Sequence, residues 1–504
     1  MGPVADPAAA LPPFHRTEID GLRVHWYDGP APHMAALLFR VGVVDERLPS
    51  RGITHIVEHL AMAGLEDAPY DKNASVDHTS TVFHCRGSLE QVQSFLDHVA
   101  RQLQDLPTHL LDAERRILAA EASSRSPGVM DIAFGLRFGA RGYGMLEFDE
   151  FGISGMDIDS IRAWARARFA TEDAVLLLTT DPARLRLPRL AAGHAHAVPR
   201  PDPLDIVTPT LYGGGPGGLA LSVLGARTPT LSMGWEIAQR RAVRRLRHQD
   251  AIAYAVDDIY LPLGPEAAHA MLIVTCEDQR TGAAFGALQA TLDGLATDGA
   301  TAEELDSVIG RRRTDLADPL VWPDILGNLS SLDLDGSPIN DVAALVASWG
   351  EVTAEGIGTA VGAALSTAIL LSDLPDPDPR YGRYPEGPQV GRMLGRRLPS
   401  LSAKPPHVLV QSTDGIAIEH DDRPVTAVRF DGCELVLTDP GRRFLVGRDG
   451  SRLDVWASAW KDGAQVIAAI DRSIPPNRFV ILPAEGLTLP LARPPGSFAR
   501  SMES

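Results

Sequence analysis

A repeat of secondary-structure pattern constrains this fold more than any other feature of the sequence. Residues 157–179 have the pattern of a helix followed by an apolar strand, and residues 353–371 repeat it about 195 residues later. A helix pair at residues 89–124 has a counterpart at residues 283–315. Between the copies, Arg-Pro-Asp-Pro and a glycine-rich run have the composition of a linker. The chain is therefore predicted to contain two similar halves.

Each half alternates strand-like and helical patterns. The strands and helices predicted at the start of the first copy are residues 22–27, 34–44, 52–64, 79–86, 89–103 and 112–124, of which 52–64, 89–103 and 112–124 are the helices. Beyond residue 405 the pattern changes to short apolar runs separated by Asp-Gly turns. We predict an α+β protein with two α/β sandwich-like halves, residues 14–205 and 206–404, and a small β-rich C-terminal domain, residues 405–504.

Charge and composition exclude several classes of function. The 504 residues carry 47 basic and 65 acidic side chains, a net charge of −18, which repels phosphate backbones, so no nucleic-acid partner is expected. The longest apolar stretch, residues 357–371, is too short and too interrupted to span a bilayer, so no membrane association is expected. Three sparse cysteines (Cys85, Cys276 and Cys433) suit a reducing compartment, which predicts a cytoplasmic location.

The segment GITHIVEHLAM at residues 52–62 carries the main chemical signal. On a helix His55 and His59 lie one turn apart on one face, the geometry that two metal ligands need, and Glu58 lies beside them. A zinc site requires a further protein ligand and keeps one position open for water. Taken alone the motif can arise by chance, since a helix histidine is often a core or surface residue.

The helix predicted at residues 112–124 offers the missing ligand. Glu114 and Glu121 lie two turns apart on one face of it, among small alanine side chains that permit a close approach. Glu121 is the candidate third ligand. Glu114 is either a carboxylate that supports the site or faces substrate, or a solvated helix residue.

These motifs, in this order, resemble those of the pitrilysin/insulinase family of zinc metallopeptidases, which includes the mitochondrial processing peptidases. The order H-x-x-E-H is that of the inverzincins. Asn73-Ala74-Ser75 resembles the family's substrate-pairing strand, and Glu114-Arg115 through Glu121 resembles its glutamate helix. In the second half, Leu246-Arg247 and Tyr254 resemble a substrate-contacting pair of the family's catalytically silent repeat. The resemblance covers about residues 16–372. The spacing from His59 to Glu121 is shorter than usual in the family.

The resemblance implies a clamshell of two halves that encloses a zinc metalloendopeptidase site for peptides or unfolded segments. The implied roles are zinc binding by His55, His59 and Glu121; catalysis by Glu58 and Glu114; and substrate binding by Asn73, Ala74, Ser75, Arg247 and Tyr254. Alternatively, Arg247 is a solvated helix residue and Tyr254 a core residue.

The family also contains pairs in which one partner lacks the motif. The alternative function is therefore a non-catalytic or partner-dependent peptide-binding subunit, and the expected partner besides the peptide substrate is a second copy or a motif-less homologue, giving a homodimer or heterodimer. The C-terminal domain lies outside the resemblance. We expect it to be an adaptor that folds independently and that generic peptide cleavage does not require.

Overall fold

The computed structural model describes residues 14–481 apart from 66, 125–127, 215–216, 340, 375–377, 386–392, 402–406 and 420–424. The strands of the first half are β1 (His15–Ile19), β2 (Leu22–Trp26), β3 (His33–Phe39), β4 (Asp71–Val76), β5 (Thr81–Gly87) and β6 (Ala174–Leu178). Its helices are α1 (Ile53–Met62), α2 (Leu89–Gln104), α3 (Leu111–Ser124), α4 (Val129–Phe138) and α5 (Ile158–Arg168).

The second half follows the same order. Its strands are β7 (Thr210–Tyr212), β8 (Gly218–Ala226), β9 (Ala253–Leu263), β10 (Ala267–Cys276), β11 (Ile369–Leu371) and β12 (Gly382–Arg383). Its helices are α6 (Pro229–Ala242), α7 (Thr281–Asp298), α8 (Ala302–Ala317), α9 (Trp322–Leu334), α10 (Val342–Gly350) and α11 (Ala354–Leu365), with a π-helical turn, Val243–Gln249, after α6.

Sheet topology confirms the predicted repeat. In the described part of the chain, one six-stranded sheet has the order β1-β2-β6-β3-β5-β4 and the other β12-β7-β11-β8-β10-β9. The two sheets share five strands, β2 to β6 in the first and β7 to β11 in the second. In each sheet the first of these strands pairs in parallel with the last (β2 with β6, β7 with β11), and the other pairs among the five are antiparallel. The helix α6 follows β8 as α1 follows β3, so α6 occupies the place of the motif helix without carrying the motif.

The two halves are joined by an exchange of helices. One face of each sheet packs against helices of its own half. On the opposite face, α9 of the second half brings Leu326 and Leu329 onto Leu38 and Val175 of the first sheet. Conversely, α4 of the first half packs on the second sheet beside Met271. Covering both faces removes apolar surface from water on each side, which explains why the central strands are apolar throughout. The molecule is thus an α+β clamshell of two mixed α/β halves, as predicted.

The C-terminal unit is a small β-rich structure. Its strands are β13 (Arg396–Pro399), β14 (Val408–Gln411), β15 (Gly415–Glu419), β16 (Thr426–Arg429), β17 (Cys433–Asp439), β18 (Arg442–Gly447), β19 (Arg452–Trp456) and β20 (Phe479–Ile481), with one helix, α12 (Gly463–Ser473). They form two four-stranded sheets, counted over the described residues. Because β13 pairs with β14, this unit includes residues ahead of the predicted boundary at 405.

The second of these sheets is covered on both faces. Residues on one face, including Val436 and Leu445, pack into the unit's own core. The alternate residues, including Leu437 and Phe444, pack against the first half of the clamshell. The C-terminal unit is therefore docked on the motif-bearing half through an apolar interface.

No helix within the described residues is long and apolar enough to cross a membrane. The three cysteines are free and buried.

Candidate metal centre

The N-terminus of α1 is closely packed and capped by a buried carboxylate. Gly52 precedes the helix with φ +96°, a conformation that favours glycine, and a Cβ there would lie 2.6 Å from Ile153 and 2.8 Å from the Glu150 Cβ. The buried Glu46 carboxylate accepts hydrogen bonds from the backbone N–H of Gly52 and of Thr54, each at 2.9 Å. A carboxylate at this position stabilises the helix through the unpaired N–H groups and the dipole.

His55, His59 and Glu121 converge on one point. Their candidate ligand atoms all lie within 4.8 Å of one another. The Glu121 Oε2 atom is 3.9 Å from His55 Nε2 and 3.8 Å from His59 Nε2. Ligand atoms about 2.0–2.1 Å from a tetrahedral zinc ion would lie about 3.3 Å apart, so only a small inward movement is needed. This arrangement agrees with the predicted set of three ligands, and the nitrogen and oxygen donors suit zinc.

The outward-facing nitrogen of each histidine has an acidic partner. His59 Nδ1 donates to Glu114 Oε2 at 3.0 Å, and His55 Nδ1 donates to the Glu150 carboxylate at 3.0 and 3.1 Å. Such bonds fix the ring orientation and the tautomer, so both Nε2 atoms are directed at the cluster as acceptors. Glu114 is buried and is therefore not a solvated helix carboxylate.

Glu58 lies beside the two histidines of the cluster. Its Oε2 is 3.8 Å from His55 Nε2 and 4.0 Å from His59 Nε2, and only 7% of the residue is exposed. Burial raises the pKa of Glu58; the two histidines counter this effect, while Glu121 and Glu114 add to it. Glu58 is therefore a buried carboxylate with a raised pKa beside the candidate metal ligands.

His55 is affected by the same charges. Burial alone lowers its pKa, but the hydrogen bond that His55 donates to Glu150 and the charges of Glu150, Glu58 and Glu121 outweigh burial, and the net pKa is raised. The cluster thus attracts a positive charge, either a proton or a metal cation.

The predicted substrate strand lies at an edge. Asn73, Ala74 and Ser75 belong to β4, the outermost strand of the first sheet, and Asn73 and Ser75 are exposed. Because β4 is an edge strand, one side of its backbone has no strand partner in the described sheet.

Arg247 and Tyr254, the predicted substrate-contacting pair, lie at exposed positions of the second half. Arg247 is exposed on the π-helical turn after α6. Tyr254 is 64% exposed on β9, and its hydroxyl donates to Glu277 Oε1 at 3.1 Å. Tyr254 is therefore not a core residue, and its role toward a substrate stays a prediction.

Sequence reasoning missed the acidic residue that supports His55. Glu150 bridges His55 and Arg51, whose guanidinium is 3.2 Å from Glu150 and 3.0 Å from Glu46. Glu150 lies 95 residues after His55, outside any helical pattern. Its position between Phe148 and Phe151 is a weak signal, since acidic residues inside an apolar stretch usually have a structural partner.

The fold is that of the M16 peptidases, the pitrilysin/insulinase type, which confirms the resemblance at the level of fold. The inactive domain of an M16 peptidase from Pseudomonas fluorescens is similar, with a TM-score of 0.59, 15% identity and coverage of 73% of this chain and 100% of that one. A protease from Helicobacter pylori gives a TM-score of 0.57 at 14% identity, covering 72% of this chain and 99% of that one.

Pitrilysin gives a TM-score of 0.55 at 12% identity over 71% of this chain, but only 44% of pitrilysin is matched. No protein-family model and no curated protein matches the sequence. At these identities the likeness defines the fold, and one neighbour with this fold is an inactive domain. Activity therefore depends on the side chains of the site.

Proposed function

We propose that this protein is a zinc-dependent metalloendopeptidase of the H-x-x-E-H type, acting on peptides or unfolded segments. The observation that carries the proposal is the convergence of His55, His59 and Glu121, with Glu58 beside them. All four residues of the proposed site occur in the chain, and their side chains lie close together.

Each residue of the site has a defined part in hydrolysis. His55, His59 and Glu121 would hold a zinc ion, which would supply Lewis acidity to lower the pKa of water and to polarise the scissile carbonyl. Glu58 accepts the proton of the attacking water and passes it to the leaving amine. Glu114 acts through His59, whose imidazole it orients, and so contributes to catalysis without touching the reacting atoms.

The substrate would bind as an added strand. Main-chain hydrogen bonds to the edge of β4 at Asn73–Ser75 would supply much of the affinity with little dependence on side-chain identity. In this proposal Arg247 and Tyr254 of the second half hold the bound peptide and its developing negative charge. A homodimer, or a heterodimer with a motif-less homologue, and a cytoplasmic location remain part of the proposal.

The test combines metal analysis with peptide cleavage. The purified chain should contain about one zinc per molecule and should cleave a random peptide library read by mass spectrometry. Glu121→Gln is the matched control, because it should remove zinc and cleavage together. Stoichiometric zinc without cleavage, alone or with a motif-less homologue, would favour the non-catalytic peptide-binding subunit instead.

A further inference from the structure

The stretch of residues 139–156, called the clamp segment, connects the C-terminal unit to the metal centre. It carries Glu150, whose carboxylate accepts the hydrogen bond of His55 Nδ1. The segment approaches α1 so closely that Gly52 has no room for a side chain beside Glu150 and Ile153. Any shift of this segment would therefore move the group that orients His55.

One side of the clamp segment is fixed by the glutamate helix. On α3, Arg115 donates through Nε to the Ile153 carbonyl oxygen at 2.9 Å and through its guanidinium to the Met156 carbonyl oxygen. Glu114, the neighbouring residue, holds His59. Two consecutive residues of α3 thus support the two histidines. Glu114 contacts His59 directly, and Arg115 supports His55 through the clamp segment.

The other side of the segment is covered by the C-terminal unit. Apolar residues of the segment pack against one face of the β17–β20 sheet; the residues of this interface on the two sides are Ala140, Met145, Phe148 and Phe151, and Leu435, Leu437, Phe444, Val446 and Val480. Val43 and Leu48, which precede α1 in the chain, belong to the same cluster, so the β17–β20 sheet supplies one part of the apolar cover of the clamp segment.

Polar contacts set the register of this interface. The Arg452 guanidinium lies 4.8 Å from the centre of the Phe148 ring and 2.9 Å from Glu147 Oε1. The Ala140 N–H donates to the Arg448 carbonyl oxygen at 3.0 Å, and a Cβ on the preceding Gly139 would come within 2.1 Å of that oxygen. A close backbone approach of this kind specifies one docking position.

From these contacts we infer that the C-terminal unit is a positioning domain of the metal centre, acting on His55 through the clamp segment and Glu150. The inference rests on the proposed zinc site and deepens it. It replaces the expectation of a dispensable adaptor: residues more than 280 positions after Glu150 in sequence hold Glu150 in place. Removing an acidic partner of a zinc-binding histidine typically weakens metal binding about 10- to 100-fold.

The test uses the full chain with substitutions on the two faces of β18. Phe444→Ala opens the interface, whereas Leu445→Ala, the neighbouring residue on the opposite face, disturbs only the unit's own core. Arg452→Met is a milder second interface variant, since that side chain is partly exposed. Circular dichroism selects the variants that remain folded.

The first measurement is hydrogen exchange of the metal-free protein. Phe444→Ala and Arg452→Met should accelerate exchange within residues 139–156 more than Leu445→Ala does. Equal exchange in all three variants would overturn the inference whether or not the chain binds zinc.

The second measurement is zinc affinity, by competition with a chelator. Glu150→Ala should weaken zinc binding about 10- to 100-fold. Phe444→Ala should weaken zinc binding several-fold in the native background. Once Glu150→Ala is present, the same substitution should weaken it by less than about twofold, because both substitutions affect zinc binding through Glu150. Phe444→Leu should restore the affinity. Full additivity in the double variant would overturn the inference, whereas a native chain that binds no zinc would overturn the proposed function itself.

Discussion

Substitution Glu58→Gln separates the catalytic role of this residue from its structural cost. The amide has the shape of the carboxyl group but cannot accept the proton of the attacking water. Because Glu58 is not one of the three converging ligands, the variant should keep zinc.

The expected loss of rate follows from the chemistry of a general base. Positioned proton transfer contributes about 10²- to 10⁴-fold, which corresponds to about 3–5 kcal/mol of transition-state stabilisation. We therefore expect kcat/KM to fall by at least about 100-fold, with zinc content unchanged.

The stability of the metal-free protein, unlike the rate, should not fall in Glu58→Gln. Burial raises the pKa of Glu58 in the folded, metal-free protein. A raised carboxyl pKa contributes stability that is present below the unfolded pKa and is lost as the pH rises through the folded pKa. At neutral pH the ionised carboxylate is thus unfavourable, and Glu58→Gln should be at least as stable as the native protein without metal.

The assay compares both properties in the same preparations. Peptide turnover and zinc content are measured alongside thermal unfolding of the metal-free proteins at pH 4 and at pH 7. The advantage in melting temperature of the variant should be larger at pH 7. Near-normal turnover would refute the role of base, and a variant markedly less stable at pH 7 than the native protein would refute the argument from burial.

Three further predictions concern other parts of the molecule. Metal analysis should show that Glu121→Gln loses zinc. Glu114→Gln should keep most of the zinc and lose only part of the activity, because the amide oxygen of the glutamine can still accept a hydrogen bond from His59. Stoichiometric zinc in Glu121→Gln would mean that the third ligand is another residue, and Glu114 would be the first to test. A chain ending at residue 395 should unfold at a lower temperature and lose cleavage of every peptide, since each large apolar side chain exposed costs about 1.5–3 kcal/mol; native-like cleavage by that chain would restore the adaptor hypothesis. Burial, with a smaller effect of a nearby guanidinium, lowers the pKa of His78 from its ordinary 6.5 to about 4. The neutral imidazole therefore contributes stability above pH 6.5, and this contribution, at most about 3 kcal/mol, is lost as the pH falls toward 4. His78→Leu should flatten the dependence of unfolding free energy on pH in that window.

The sequence by itself determined the features that depend on local spacing. His55, Glu58 and His59 lie within one helix, and Glu114 and Glu121 within another, so helical periodicity alone places each set on one face. The two-half architecture was equally accessible, because a repeated order of strands and helices folds into repeated sheets. The edge position of β4 agrees with the strand predicted from Asn73-Ala74-Ser75.

Only the tertiary structure decided which distant segments support these local sets. Glu150 reaches His55 across 95 residues, and no periodic pattern relates them. The exchange of α4 and α9 between the halves depends on the paths of loops that sequence pattern does not encode. The same holds for the C-terminal unit. The uninterrupted apolar run at Leu435–Leu437 indicates a strand buried on both faces, but an apolar face carries no mark of its partner, because hydrophobic contact is not directional. Docking against the clamp segment is fixed by shape, by the Arg452 contacts and by the bare backbone at Gly139, and these exist only once the chain has folded.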